Sequence, residues 1–373
     1  MLFLKGYLKL NKMKSIFICL FIVLCYSTCK RDDKEDKTSV LPDVELKSNV
    51  VVSGLINPWE IVYGPDNFIW FTEKSGKISR LNPESGQIIP LLTIAEVRSN
   101  GEGGLLGMVL HPDFTANPYV YVAYNYGTTY KGKIVRYTFT NSSLGSPEIL
   151  LDQIPAASIH NGCRLLINQN KLFITTGDAS VTSTPQNINS LSGKILRLNL
   201  DGTIPSDNPF PNNPVWSYGH RNPQGLVMVG SKLFSSEHGP DTDDEINSIE
   251  KGRNYGWPNI KGFCNESAET SFCTLNNVAE PIINWTPTIA PSGLSYYNSD
   301  YIPQLKNSLL LALLKGSKLM QLKLDDSKTK ITSTKDFYTN TYGRLRGICQ
   351  SPAGKIYICT SNGSNDKIVE IGK

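Results

Sequence analysis

The chain has 373 residues, a formal net charge of +4, and 40% hydrophobic against 19% charged side chains. Those proportions describe a water-soluble globular protein with enough apolar side chain for a large core. The basic excess is spread along the chain, which argues against nucleic-acid binding, an activity that needs a concentrated basic face.

The N-terminal stretch reads as a targeting segment. Lys12 and Lys14 precede an apolar run from Ile16 to Leu24. The run is too short to span a bilayer as a helix and has the form of a signal-peptide core behind a basic region. Met13 is an alternative start. Ser27 and Thr28 before Cys29, followed by charged residues from Lys30 to Lys37, are similar to a bacterial lipobox, with Tyr26 where leucine is usual. The plainer alternative is a cleaved signal peptide that ends near a cysteine. The expected organisation is a signal peptide over 1–29, a polar tether over 30–49 and one folded domain over 50–373. The protein is then exported, and its only membrane contact is a lipid anchor at Cys29 on the periplasmic or outer face of the cell envelope.

After residue 50 no stretch has the pattern of a long amphipathic helix; short β-rich runs recur between turn signals. One phrase of strand, turn, strand, loop, strand returns six times. The first copy joins Trp59–Tyr63, Phe68–Thr72 and Lys77–Leu81; the second joins Gly104–Leu110, Tyr119–Tyr124 and Lys133–Tyr137. The third has Arg164–Ile167, Lys171–Thr175 and Lys194–Leu198, and the fourth Gly225–Met228, Lys232–Ser235 and Asp244–Asn247. Gly293–Tyr296, Ser308–Ala312 and Lys318–Leu322 make the fifth, and Arg346–Cys349, Lys355–Cys359 and Lys367–Ile371 the last. A period of about 45–70 residues with several strands per unit is the signature of propeller blades. Radially arranged sheets bury one another and leave few free edges, so the expected fold is an all-β six-bladed propeller. A β-sandwich array would not need the same phrase six times. Among the cysteines, Cys264 and Cys273 flank a polar loop and are placed to form a disulfide. Cys349 and Cys359 lie on neighbouring strands, and Cys163 is left over. None has zinc-ligand spacing.

Propellers bind ligands at one mouth, and the unusual polar residues do fall between strands. His160-Asn-Gly-Cys-Arg164 precedes a strand, and Asp178 on the turn after the next strand offers a carboxylate to orient the imidazole as a general base. Taken alone, such a histidine is a solvated loop residue. Gly219-His-Arg-Asn-Pro-Gln-Gly225 puts a fixed cation and two amides in one stiff turn. Glu237, Asp241, Asp243, Asp244 and Glu245 make an oxygen-rich loop suited to Ca²⁺, without the EF-hand glycine and glutamate; otherwise it is a solvated acidic loop. Lys315 follows an apolar run, and Arg344 and Arg346 alternate so that both can reach one anion.

These motifs, together with Gly103-Gly-Leu-Leu-Gly107, His111-Pro-Asp-Phe114 and Gly193-Lys-Ile-Leu-Arg-Leu-Asn199, occur in order from about residue 50 to the C-terminus. In this the chain resembles the soluble PQQ-dependent aldose dehydrogenases, the glucose/sorbosone dehydrogenases. The resemblance implies a six-bladed propeller that oxidises aldose sugars to lactones, with PQQ and Ca²⁺ as cofactors and an electron acceptor the sequence does not identify. It assigns the tricarboxylate PQQ to Arg221, Asn222, Gln224, Lys315, Arg344 and Arg346, with Glu102 beside it. It assigns one Ca²⁺ to the carbonyls of Gly239 and Pro240 and a second to Glu245 and Tyr255. His160 becomes the base and Asp178 its orienting partner. Two positions depart from the family: Cys163 stands where glycine is usual, and Glu102 where some members have glutamine. A carboxylate beside an anionic quinone is unfavourable unless paired. The alternatives are a non-catalytic propeller that binds a glycan or a protein, and a lactonase-like metal hydrolase. The second would use the acidic loop but would not need Arg221, Lys315, Arg344 and Arg346.

Overall fold

A computed structural model describes residues 41–373; Cys29 and the rest of the leader lie outside the described residues. The strands form six antiparallel four-stranded sheets. Blade 1 is Pro58–Tyr63, Ile69–Glu73, Lys77–Leu81 and Ile88–Thr93, and blade 2 is Leu105–Leu110, Tyr119–Tyr126, Lys131–Thr140 and Ser143–Pro155. Blade 3 is Leu165–Asn168, Lys171–Thr176, Lys194–Asn199 and Val215–Tyr218; blade 4 is Pro223–Val229, Lys232–Glu237, Asp244–Ile249 and Ile283–Trp285. Blade 5 is Pro291–Tyr297, Ser308–Leu313, Lys318–Leu324 and Ile331–Phe337. Blade 6 is Leu345–Gln350, Ile356–Thr360 and Asp366–Gly372, and the N-terminal strand Lys47–Leu55 supplies its outer edge.

The first strands of successive blades touch in a ring that closes from blade 6 to blade 1. The fold is therefore the expected six-bladed β-propeller. The closing strand starts at Lys47, inside the stretch expected to be tether, and the Val44 main chain bonds to the Gln304 side chain at 3.2 and 2.7 Å. The sequence revealed three strands per blade; the fourth, outer strand was missed because it has too few buried apolar residues to set a pattern. Ile331–Phe337, for example, has only intermediate or exposed residues and so no apolar alternation.

Buried apolar side chains gather into six clusters, one between each pair of neighbouring blades. Each sheet thus covers its neighbour on both faces, which is why the repeat closes rather than stacks. Cys264 and Cys273 are disulfide-bonded and pin the helix Ser267–Asn276 to the surface. Cys349 and Cys359 are not bonded: Cys349 stands opposite Tyr357, so the two thiols are diagonal, and both are free. Among the described residues no helix is long and apolar enough to cross a membrane.

Candidate active site

In a four-stranded meander the start of strand one, the end of strand two, the start of strand three and the end of strand four share one end. The candidate residues occupy those positions. Glu102 and Arg221 precede first strands, and Gln224 and Arg346 lie near the start of theirs. Asp178, Gly239 and Lys315 follow second strands, and Glu245 is the second residue of a third. Tyr255 arrives by another route. The long connection after Ile249 runs back along blade 3, where Asn254 bridges Tyr218.

His160 and Asp178 meet. The ring Nδ1 lies 2.8 Å from Asp178 Oδ1, and Asp178 is 1% exposed. Burial alone would raise the Asp178 carboxyl. Hydrogen bonds from His160, Ser180 and Trp257 outweigh it and hold the carboxyl below the usual aspartate range. An ionised acid at Nδ1 fixes that nitrogen as the donor and leaves the lone pair on Nε2, which has no protein partner among the described residues. The loop is backbone-strained: His160, Gly162 and Cys163 have φ of 58°, 62° and 70°. Only glycine fits at 177, where a Cβ would stand 1.9 Å from the His160 carbonyl oxygen. Cys163 takes the left-handed conformation that glycine favours. Its side chain packs into the core cluster between blades 2 and 3, where burial pushes its thiol up to about 12.

Hydrogen bonds join this pair to the arginine-bearing segments. The His160 amide donates to Glu102 Oε2 (3.0 Å) and the Gly162 amide to Asn222 Oδ1 (3.1 Å). Gln224 Nε2 donates to the same Asn222 oxygen (3.0 Å), and Gln224 Oε1 accepts from Arg346 Nη1 (2.8 Å). Arg164 Nε donates to the Gln224 carbonyl (2.8 Å), and its Nη1 pairs with buried Glu60 at 2.5 Å. Five blade junctions are tied through one polar centre.

A cavity of about 540 Å³ opens here, lined by Glu102, Gln224, Lys315, Arg344 and Arg346, and by Lys74 and His238, which the sequence reading missed. Lys74 occupies the same blade position as Asp178 and Lys315, directly after a second strand, and that regularity could have found it. Four cations against one carboxylate leave a surplus of three positive charges. Among the described residues Arg346, 9% exposed, forms no ion pair and its Nε has no hydrogen-bond partner; burial pushes its guanidinium down to about 10. Arg221 Nε and Asn222 Nδ2 are likewise buried without partners, and Arg221 is also lowered by burial. Arg344 lies just before its strand and is exposed, yet it and Arg346 reach the same cavity, as alternation implied.

His238 separates this cavity from a small one of about 20 Å³, lined among others by Arg221, Gly239, Pro240, Glu245 and Tyr255. The space suits about one water-sized occupant. The Gly239 and Pro240 carbonyls accept no hydrogen bond among the described residues. Burial raises Glu245 to about 8, reinforced by Glu237. The Tyr255 hydroxyl is taken by the Ser248 carbonyl and the Glu250 amide, which leaves its main-chain carbonyl as the oxygen it could offer a cation. The five carboxylates do not converge. Glu237 accepts from His220 and the Arg221 amide, and Asp244 accepts from the amides of Gly239 (2.9 Å) and Ala290 (2.7 Å). No group of three or more His, Cys, Asp or Glu side chains placed to hold a metal occurs among the described residues. Buried amides compete for these oxygens, and an uncoordinated acid near them is bonded first.

Residues 55–370 match the family described as glucose/sorbosone dehydrogenase. Over 85% of its length the chain is 34% identical to quinoprotein glucose dehydrogenase B of Acinetobacter calcoaceticus, 85% of which is covered. It is 32% identical, again over 85% of its length, to an aldose sugar dehydrogenase of Escherichia coli K12, 90% of which is covered. Among solved structures, the PQQ-bound aldose sugar dehydrogenase of Streptomyces coelicolor superposes with a TM-score of 0.77 at 33% identity, over 89% of this chain and 99% of that one. With the match running through all six blades, the chain belongs to the glucose/sorbosone dehydrogenase family.

Proposed function

We propose that the protein oxidises aldose sugars to lactones, with PQQ held in the larger cavity and Ca²⁺ beside it. The observation that carries this reading is the surplus of three positive charges around the larger cavity, which contains a buried, unpaired Arg346. A planar tricarboxylate matches both the surplus and the unpartnered N–H groups of Arg346, Arg221 and Asn222. Gln224, Lys315 and Arg344 complete its binding set. Glu102 is held by the His160 amide and lies in the field of Lys74 and Arg346, which offsets its charge. The free carbonyls of Gly239 and Pro240 fit a hard cation, and Glu245 with the Tyr255 carbonyl a second.

When bound, PQQ supplies the hydride acceptor and Ca²⁺ the Lewis acid that polarises it. His160 Nε2 takes the proton of the anomeric hydroxyl as the sugar carbon loses its hydride. Asp178 keeps Nδ1 as the donor and stabilises the imidazolium that results. The Cys264–Cys273 disulfide supports an oxidising compartment, in keeping with export and a lipid anchor at Cys29.

Reconstitution tests the proposal: apoprotein supplied with PQQ and Ca²⁺ should reduce a dye with aldoses. His160→Ala should lower that rate by about 10²–10⁴-fold at nearly unchanged PQQ affinity. If calorimetry in Ca²⁺ shows no PQQ binding, the non-catalytic glycan- or protein-binding reading replaces this one.

A further inference from the structure

Trp257 is not among the residues considered so far for catalysis, yet it touches both halves of the site. Its indole Nε1 donates to Asp178 Oδ2 at 2.9 Å, while Asp178 Oδ1 faces His160 Nδ1 at 2.8 Å and the Ser180 amide at 2.8 Å. The same ring lies under the Arg221 guanidinium, 5.3 Å from its centroid. We propose that Trp257 is a positioning residue: its N–H immobilises Asp178 and so holds the His160 imidazole in the one tautomer and orientation that catalysis uses. The inference rests on the reading of His160 as the base.

A carboxylate bonded through one oxygen keeps rotational freedom about its last torsion, which is broad and two-fold. A second donor on the other oxygen removes that freedom. Indole N–H is a donor only, so this partner cannot reverse its role as a hydroxyl or an imidazole can. It also favours the ionised acid, which must not take the Nδ1 proton for itself. Trp257 is itself locked at both ends of its residue. Its amide donates to the Gly219 carbonyl (2.9 Å), and its carbonyl accepts from Gln186 Nε2 (2.8 Å). Gln186 is held in turn by a reciprocal amide pair with Asn254, at 3.0 and 2.8 Å. The Arg221 carbonyl accepts from the Asp178 amide at 2.8 Å, so the segment that bears this arginine holds Asp178 by the main chain as Trp257 holds it by the side chain.

Trp257→Phe keeps an aromatic face for Arg221 and deletes the N–H together with the second ring of the indole, so the Asp178→Asn background and the tautomer readout below isolate the N–H. Loss of one hydrogen bond to a charged group should lower kcat by about 10-fold, with KM and PQQ affinity within about 2-fold of wild type. In an Asp178→Asn background the same substitution should cost nothing further, because its effect passes through that carboxylate. A second readout needs no cofactor. In ¹⁵N-histidine apoprotein the His160 resonances should report a single Nδ1–H tautomer in the wild type and a mixture in Trp257→Phe. Gln186→Met, which loosens Trp257 without touching Asp178, should move kcat and the spectrum in the same direction but less. Wild-type kcat and an unchanged tautomer in both variants overturn the proposal, as does full additivity with Asp178→Asn. If His160→Ala proves fully active, the base assignment fails while the apoprotein spectrum still reports whether Trp257 orients the ring.

Discussion

Arg346→Met separates ligand affinity from stability in opposite directions. In the wild-type apoprotein the guanidinium is 9% exposed, forms no ion pair among the described residues and is pushed by burial down to about 10, offset only in part by the charge of Glu102. At about 1.4 kcal/mol per pH unit, that displacement corresponds to a few kcal/mol of unfavourable burial. Methionine relieves it while retaining much of the side-chain volume. The substitution also loses the bonds to Gln224 (2.8 Å) and Ser292 (3.4 Å) and the contact with the Trp59 ring, together about 2 kcal/mol. The apoprotein should therefore gain roughly 1–2 kcal/mol in urea denaturation. Affinity for PQQ should fall about 10- to 150-fold by calorimetry, the value of one charge-assisted hydrogen bond of about 1.5–3 kcal/mol. An apoprotein less stable than wild type, or one that binds PQQ with wild-type affinity, refutes the claim that Arg346 is an unpaired cation kept for an anionic ligand.

Lys74→Met should weaken PQQ binding with no loss of stability, since burial and Arg346 already hold that ammonium below the lysine range; titration calorimetry and a melting curve check both. Asp178 has a folded value below its unfolded one, so its contribution to stability is present above the unfolded value and lost as pH falls through the folded one. Asp178→Asn should therefore flatten the acid limb of a stability-versus-pH profile. Mass spectrometry of the mature protein should find a lipid on Cys29; an unprocessed N-terminus at Met1 or Met13 would contradict export.

Much was legible in the chain itself. Short β-rich apolar runs exposed three strands in every blade because those strands are covered on both faces, and the six-fold repeat implied closure. His160, Asp178, Arg221 and the Arg344–Arg346 pair stood out because charged or titratable residues between buried strands are poorly explained by packing. Three things were decided only by tertiary structure. An outer strand such as Ile331–Phe337 carries no apolar pattern because most of its residues are in water. Whether a carboxylate is available depends on which donors reach it: Glu237 accepts from His220, Asp244 from the amides of Gly239 and Ala290, and Glu245 from the Gly262 amide and the Asn247 side chain. The environment of a cation is likewise a property of convergence. Arg164 and Arg346 look alike in sequence, yet Arg164 finds Glu60 from another blade while Arg346 forms no ion pair among the described residues and has only Glu102 across the cavity. Local sequence sets strand and turn, because those depend on neighbours in the chain. Pairing and desolvation depend on what the closing ring brings from residues more than a hundred positions away, as with Glu60 to Arg164 and Gln224 to Arg346.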